Sequence, residues 1–216
     1  MRNERAALPD LLAHLGRWQA AGCEIVMVDG GSQDGSAHMA QQAGFTVIDS
    51  PPGRARQMNA GAAMVRYADR LLFLHADTRL PDGADEMVRA ALARGHAWGR
   101  FDVTILGRPA LLRVVAFLMN WRSRLTGIAT GDQAIFVRAD HFAALGGFAD
   151  MPLMEDIDLS CRLRRTGPPA CLRARVQTSG RRWETQGVWR TIMLMWGLRL
   201  AFWLGVSPSR LARAYR

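Results

Sequence analysis

Five short stretches carry side chains whose types and spacing suit chemistry. Asp29 and Asp34 bracket a glycine-rich run that contains Gly30, Gly31 and Ser32. Carboxylates on such a loop accept hydrogen bonds from a nucleobase N–H or from ribose hydroxyls, and glycine lets a ligand come close to the backbone. The same residues also suit an ordinary tight turn whose aspartates cap the next helix, and taken alone the turn is favoured. His75 and Asp77 stand one residue apart, so an extended chain points both to one side. A carboxylate at 77 suits a hard divalent ion, Mg2+ or Mn2+, that also holds diphosphate oxygens. A plain strand-end turn explains it equally well.

Arg54 and Arg56 follow the turn Pro51-Pro52-Gly53 and open a helical stretch that includes Asn59. Guanidinium groups beside the free amides of a helix start hold phosphate; a solvated basic face is the alternative. Glu155 and Asp156 open an acidic helix. A carboxylate there works as a general base if an acceptor hydroxyl lies within hydrogen-bond reach, or it caps the helix. Arg181 and Arg182 are suited to neutralising a departing diphosphate. Trp183 beside them is suited to stacking on a sugar or to packing against a sheet.

The elements that must position these groups follow from hydrophobic spacing. Apolar residues at helical period predict a helix over 4–21, and Glu24 to Val28 predicts a buried strand ending at Asp29. Further helices are predicted over 36–43, 54–66, 82–94, 111–125, 155–165 and 186–205. Further strands are predicted over 45–48, 71–74, 98–103, 133–137 and 172–176. Strand–helix alternation of this kind predicts an α/β fold with a largely parallel sheet, where ligands sit beyond the carboxyl ends of the strands. Two of the first three strands run directly into aspartates, at 29 and 77.

The chain has 216 residues, a net charge of +9 and 49% hydrophobic residues, enough for a real core and too apolar for disorder. All 28 basic residues are arginine. That excludes any mechanism needing a lysine Schiff base or a Walker lysine. The charge fits an anionic partner. Three cysteines without a CxxC pair fit a reducing compartment. No apolar signal-peptide run opens the chain. The expected location is therefore the cytoplasm, with the inner face of the membrane open. The apolar stretch 188–206 is interrupted by Arg190 and Arg199, which favours a buried or interfacial helix over a span.

Singly these signals are weak; their order is not. VDGGSQDGS, GRARQMNAGA, LLFLHADTRLP, TGDQAIFVR, GGFADMPLMEDIDLSCRLRR and SGRRWE succeed one another along the chain. This order resembles the family 2 inverting glycosyltransferases of the GT-A fold. More narrowly it resembles the bacterial branch described as radical-SAM/selenodomain-associated transferase 2. The resemblance runs from Asn3 to the C-terminus. It implies a Rossmann-like sheet flanked by helices, with a GT-A domain over 1–183 and a C-terminal helical segment over 184–216.

The resemblance also implies roles. Asp29, Gly30, Ser32, Asp34, Arg54, Arg56, Asn59, His75, Arg182 and Trp183 would bind the nucleotide sugar, a UDP- or GDP-sugar. Asp77 would hold Mn2+ or Mg2+, Asp156 would be the catalytic base with Glu155 beside it, and Asp132 and Gln133 would meet the acceptor.

Three departures from the family pattern stand out. His75 replaces the first DxD aspartate, and Ser179 replaces the glutamine of QxxRW. The apolar first strand that precedes Asn-Glu in the family is missing; either the start of the natural protein lies further upstream, or the sheet has an unfilled lane with exposed edges and activity is impaired. The rival classes are a nucleotidyltransferase on a related sheet and a basic nucleic-acid binder. The first lacks its glycine-rich lysine loop here, and the second lacks a clustered basic face, so no nucleic-acid partner is expected. The apolar helices at 111–125 and 188–206 suggest a lipid-linked acceptor, peripheral membrane contact or a homodimer face, or else they complete the core.

Overall fold

The computed structural model describes residues 1–65 and 67–215. Along the first half of the chain run α1 (Leu8–Ala20), β1 (Val26–Asp29), α2 (Ser36–Gln42), β2 (Thr46–Asp49), α3 (Arg54–Met64), β3 (Arg70–Leu72), β4 (Thr78–Arg79) and α4 (Ala84–Ala93). The second half adds β5 (Trp98–Leu106), α5 (Leu111–Thr126), β6 (Phe136–Arg138), α6 (Ala139–Ala144), α7 (Glu155–Arg164), β7 (Ala170–Ser179), α8 (Arg181–Gln186), α9 (Val188–Trp203) and α10 (Pro208–Tyr215).

Local chemistry explains the boundaries. Helix α1 buries Leu8, Leu11, Leu12, Leu15 and Trp18 along one stripe and begins at Leu8, not at residue 4, with a proline in its first turn. Helix α3 ends at Met64, and Arg66, the expected last residue, lies outside the described residues. Helix α7 has Glu155, Asp156 and Asp158 in its first turn and Arg162 and Arg164 in its last, matching the helix dipole at both ends. The single helix expected over 186–205 is cut at Gly187, whose φ of 83° separates α8 from α9. A helix absent from the sequence reading, α10, follows the turn at Gly205.

The fold is α/β, as expected, with helices flanking curled sheets. The pairing is mixed: the longest ladders are parallel, and the short ones are antiparallel. Strands β1 and β2 form a parallel pair, from Val26↔Thr46 to Asp29↔Asp49. The other five strands order as β3-β6-β5-β7-β4. Within that sheet β5–β7 is parallel, while β3–β6, β5–β6 and β4–β7 are antiparallel. Helical crossovers enforce parallel neighbours only while strand and helix alternate. The very short β4 and β6 enter from turns and reverse direction.

Among the described residues no hydrogen-bonded ladder joins the two sheets. Between β1 and β3 lies a cleft of about 590 Å³, lined by Trp18, Met27, Val28, Met58, Leu72 and Leu74 among others. At its mouth the Met1 amino group donates to the Val28 carbonyl at 2.6 Å, and Gly30 N–H donates to the Met1 carbonyl at 2.9 Å. These two bonds are the pattern of a parallel bridge between Met1 and Asp29. Burial desolvates that amine and lowers its pKa, against the pull of Asp29 and Glu4.

The main core packs α4 and α5 on the central sheet through Val88, Leu92, Phe101, Val103, Leu112, Val115, Phe136 and Val176. Inside it, fully buried Arg100 pairs with Asp102, which also accepts from Arg124 at 2.6 Å. A buried cation needs such compensation.

Candidate active site

Five distant stretches of chain meet around one short 3₁₀ turn, Gly131–Gln133, that precedes β6. The Gly131 amide donates to Asp156 Oδ2 at 2.8 Å, and the Ile157 amide donates to Asp156 Oδ1 at 2.8 Å. A Cβ on Gly131 would collide with the His75 imidazole, so only glycine lets the ring and the turn approach. His75 Nδ1 lies 3.5 Å from Asp132 Oδ1. Burial acts to lower the His75 pKa, but its pairing with Asp132 outweighs burial and raises it. Burial likewise acts to raise the Asp132 pKa, and His75 overrides it and lowers it.

The start of α7 supplies the carboxylates. Glu155 is 2% exposed and pairs with Arg54 Nη1 at 3.5 Å. Burial, then the neighbouring Asp156, push the Glu155 pKa up, with Arg54 pulling the other way. Asp156 beside it is only partly buried. Met154 holds a left-handed φ of 71° immediately before the helix and sets this entry. A non-glycine residue in that region marks a place where packing dictates backbone geometry.

Asp77 follows β3, and its carbonyl accepts from the Ser179 amide at 3.2 Å, which ties it to the end of β7. Just beyond, Arg182 lies in the first turn of α8. Its guanidinium lies 3.6 Å from the Tyr215 ring centroid, and its Nη2 donates to the Tyr215 carbonyl at 2.8 Å. Arg54 sits over the other side of the same neighbourhood, 5.9 Å from the Tyr215 ring. Helix α10 therefore brings Arg54 and Arg182 to one aromatic ring.

The loop after β1 stands beside this cluster, joined to it by α3. Asp29 is buried and accepts from the amides of Gly31 and Ser32 and from the Ser32 hydroxyl. Gln57 of α3 donates to the carbonyls of Val28 and Met1 and abuts Gly30. Asp34 accepts from the Ser36 hydroxyl and amide and from Arg5, which hold its pKa low. The turn-and-cap chemistry is thus what these two aspartates show.

Several expected members are not brought to the cluster. Arg56 lies two residues after Arg54, about 200° around the helix, and pairs with Asp150 at 2.8 Å on the surface. Asn59 spends its amide on the Phe148 backbone. Gln133 is fully buried and closes a capping box with Thr130, so it is out of an acceptor's reach. Trp183 packs on the main core and not in the open site.

Conversely, three residues that went unsingled in sequence belong here. Tyr215 is one. The others are Arg122 of α5 and Arg199 of α9, each of which feels the Asp156 charge. The two arginines each share a largely apolar helix with at least one other arginine, and that was their only signal in sequence.

Among the described residues no group of three or more His, Cys, Asp or Glu side chains is placed to hold a metal ion. Asp77 is a hard oxygen donor beside the Asp132–His75 pair, so a cation fits only if bound phosphate oxygens and water supply most of its ligands.

The Glycosyl transferase family 2 profile matches residues 1–147. Among proteins with curated functions, none matches the sequence. A mannosyltransferase from Pyrobaculum calidifontis, solved with GDP-mannose and Mn2+, superposes with a TM-score of 0.61 at 18% identity over 82% of this chain and 54% of its own. Mannosyl-3-phosphoglycerate synthase from Rubrobacter xylanophilus gives 0.56 at 15% identity, over 83% of this chain and 64% of its own. The chain thus spans between half and two-thirds of the length of these structures, and at such identities the likeness is one of fold.

Proposed function

The chain belongs to glycosyl transferase family 2, and on that premise we propose that it moves a sugar from a nucleoside-diphosphate-sugar onto an acceptor hydroxyl with inversion. The observation that carries this reading is the convergence of Asp156, Glu155, Asp132, His75, Arg54 and Arg182 from separate parts of the chain. Residues 1–183 are the catalytic unit in this reading and 184–216 a helical segment packed on it. The radical-SAM-associated branch is the narrower placement that the motif order supports.

In the proposed reaction Asp156 takes the proton of the acceptor hydroxyl as that oxygen attacks the anomeric carbon. The bond from that carbon to the diphosphate oxygen breaks, and its electron pair leaves with the nucleoside diphosphate. Arg54 and Arg182, already gathered at Tyr215, face the developing negative charge. The Gly131 amide and the start of α7 fix the orientation of the Asp156 carboxylate. Asp29, Gly30 and Ser32 shape the loop where the nucleoside would lie, alongside α3 toward Arg54. Asp77 would hold a divalent ion together with the donor's diphosphate; when bound, that ion supplies further charge neutralisation.

The fold-level likeness to a structure holding GDP-mannose and Mn2+ supports a UDP- or GDP-sugar donor and Mn2+ or Mg2+. Among the described residues no helix is long and apolar enough to cross a membrane. The apolar exposure of α5 and α9 supports a cytoplasmic enzyme working at the inner face of the membrane on a lipid-linked acceptor.

A thermal-shift panel of nucleoside diphosphates, each with and without Mn2+, tests the donor half. Stabilisation by one nucleotide that requires the ion is expected. Transfer assays with nucleotide sugars should then release nucleoside diphosphate. Release of pyrophosphate from a nucleoside triphosphate would instead mark a nucleotidyltransferase and overturn the reading.

A further inference from the structure

Two arginines at the site have no role in the transfer chemistry above. Arg122 has its Nε and Nη2 atoms buried without any hydrogen-bond partner among the described residues. Arg199, half-buried, likewise has no carboxylate within 4 Å and no side-chain hydrogen bond among the described residues. Packing joins α5 and α9 in one core cluster and sets α9 against the segment ahead of α7. Met119, one turn before Arg122, packs in the cluster that holds Val188 and Ile192 of α9. Leu198, the residue before Arg199, packs on Leu153 and Met154, immediately ahead of Glu155 and Asp156.

Burial and the proximity of Arg199 push the Arg122 pKa down to about 10, against the pull of Asp156. Burial also lowers that of Arg199, against Asp156 and Asp132. Two desolvated cations that repel each other, neither paired with a carboxylate, are unfavourable unless an anion joins them. A planar guanidinium fork matches phosphate oxygens in a bidentate arrangement.

We propose that Arg122 and Arg199 form an anion-binding subsite for the acceptor, which takes a phosphate group carried next to the hydroxyl that Asp156 deprotonates. The word acceptor rests on the glycosyl-transfer reading; the anion site rests on the two arginines alone. The phosphate has two sources. The outer faces of the same two helices expose Phe117, Leu118, Trp121 and Leu125 on α5 and Met193, Trp196, Leu200 and Trp203 on α9. Such faces suit a lipid whose headgroup reaches the arginines. A soluble phosphorylated alcohol presents the same group.

The experiment compares the full chain with Arg122→Gln, Arg199→Gln, the double variant, and Arg113→Gln as an exposed control on α5. Inorganic phosphate is titrated against chloride of equal ionic strength, and the melting temperature is read. The titration is repeated with the stabilising nucleoside diphosphate and Mn2+ at saturation, so that the donor's own phosphate site is filled. The wild type and Arg113→Gln should gain several degrees in phosphate. The single variants should lose most of that gain, and the double variant all of it, with nucleotide stabilisation retained.

Sedimentation with phosphatidylglycerol vesicles against phosphatidylcholine vesicles separates the sources. A preference for the anionic vesicles that falls at least five-fold in the double variant marks a lipid phosphate. A phosphate response without vesicle preference marks a soluble acceptor. Equal responses of the wild type and the double variant to both probes overturn the proposal. Loss of nucleotide binding by the wild type, with the arginine-dependent phosphate response intact, would sink the transfer reading and leave the anion site standing.

Discussion

The Gly131 amide donates to Asp156 Oδ2 at 2.8 Å from a backbone position that no larger residue can occupy without striking His75. The carboxylate proposed as the base is therefore aimed by a turn whose own geometry depends on the absence of a side chain. Gly131→Ala should displace the turn or the His75 ring and turn the carboxylate off its line. A misplacement of about 1 Å costs on the order of 100-fold in rate. Transfer should fall by that order while the melting temperature changes by only a few degrees. An unaltered transfer rate would show that the Gly131–Asp156 bond does not position the base.

Asp156→Asn keeps the shape of the side chain and an acceptor oxygen for the Gly131 amide but removes the ability to take a proton. General-base removal costs about 10²- to 10⁴-fold. Turnover should drop within that range, with nucleoside diphosphate binding by thermal shift nearly unchanged. Loss of nucleotide binding along with turnover would instead place Asp156 in the donor site.

Much of this arrangement was legible from residue order, and its failures have physical causes. The acids at 77 and 156 and the arginines at 54 and 182 stand at ends of elements, where a motif alone can place them. Arg54 and Arg56 were grouped by adjacency, yet two residues of α-helix turn the side chains to opposite sides, and Arg56 faces Asp150. Gln133 reads as a polar site residue in sequence, but its amide is consumed by the turn that holds Asp132. Arg199 was legible only as an interruption of an apolar run, because a residue near Asp156 in space lies more than forty positions from it in the chain. The antiparallel pairings were invisible because β4 and β6 have two and three residues, too few for a period to show.

Glu155 sets a pH dependence of stability with a definite sign. Burial and Asp156 raise its folded pKa above the ordinary 4.5. Its contribution is therefore fully present below pH 4.5 and is lost as pH rises through the raised folded value. Glu155→Gln removes this titration. Denaturant unfolding from pH 4 upward should show a downward contribution in the wild type that the variant lacks. Parallel pH profiles would mean that Arg54, 3.5 Å away, cancels the burial of Glu155 completely.

Tyr215 holds two cations with one ring. A guanidinium stacked on an aromatic ring contributes about 0.5–2 kcal/mol, and a domain of this size shifts by roughly 2–4 °C per kcal/mol. Tyr215→Ala should lower the melting temperature by a few degrees and loosen α10. Tyr215→Phe, which keeps the ring and loses only a 3.5 Å contact from Arg54, should stay close to the wild type. A Phe variant as unstable as the Ala variant would assign the stabilisation to the hydroxyl and not to the ring.

The separation of the two sheets makes the least expected prediction. Strands β1 and β2 form a sheet of their own; on the cleft side Met1 and Gln57 bond to the end of β1, and among the described residues no ladder joins β1 to β3 across the cleft of about 590 Å³. The five-stranded sheet is instead stitched through the long β5–β7 ladder, which runs from Gly99 to Leu106. Regions open in cooperative units whose free energies follow such connectivity. Amides of Val26 to Asp29 and Thr46 to Asp49 should therefore exchange through an opening well below global unfolding, while those of Phe101 to Ile105 exchange only with it. Native-state hydrogen exchange at increasing denaturant distinguishes the two. If the β1 and β5 amides merge onto one isotherm already at low denaturant, the side chains across the cleft, Met27 and Leu74 among them, couple the sheets as strongly as a backbone ladder would.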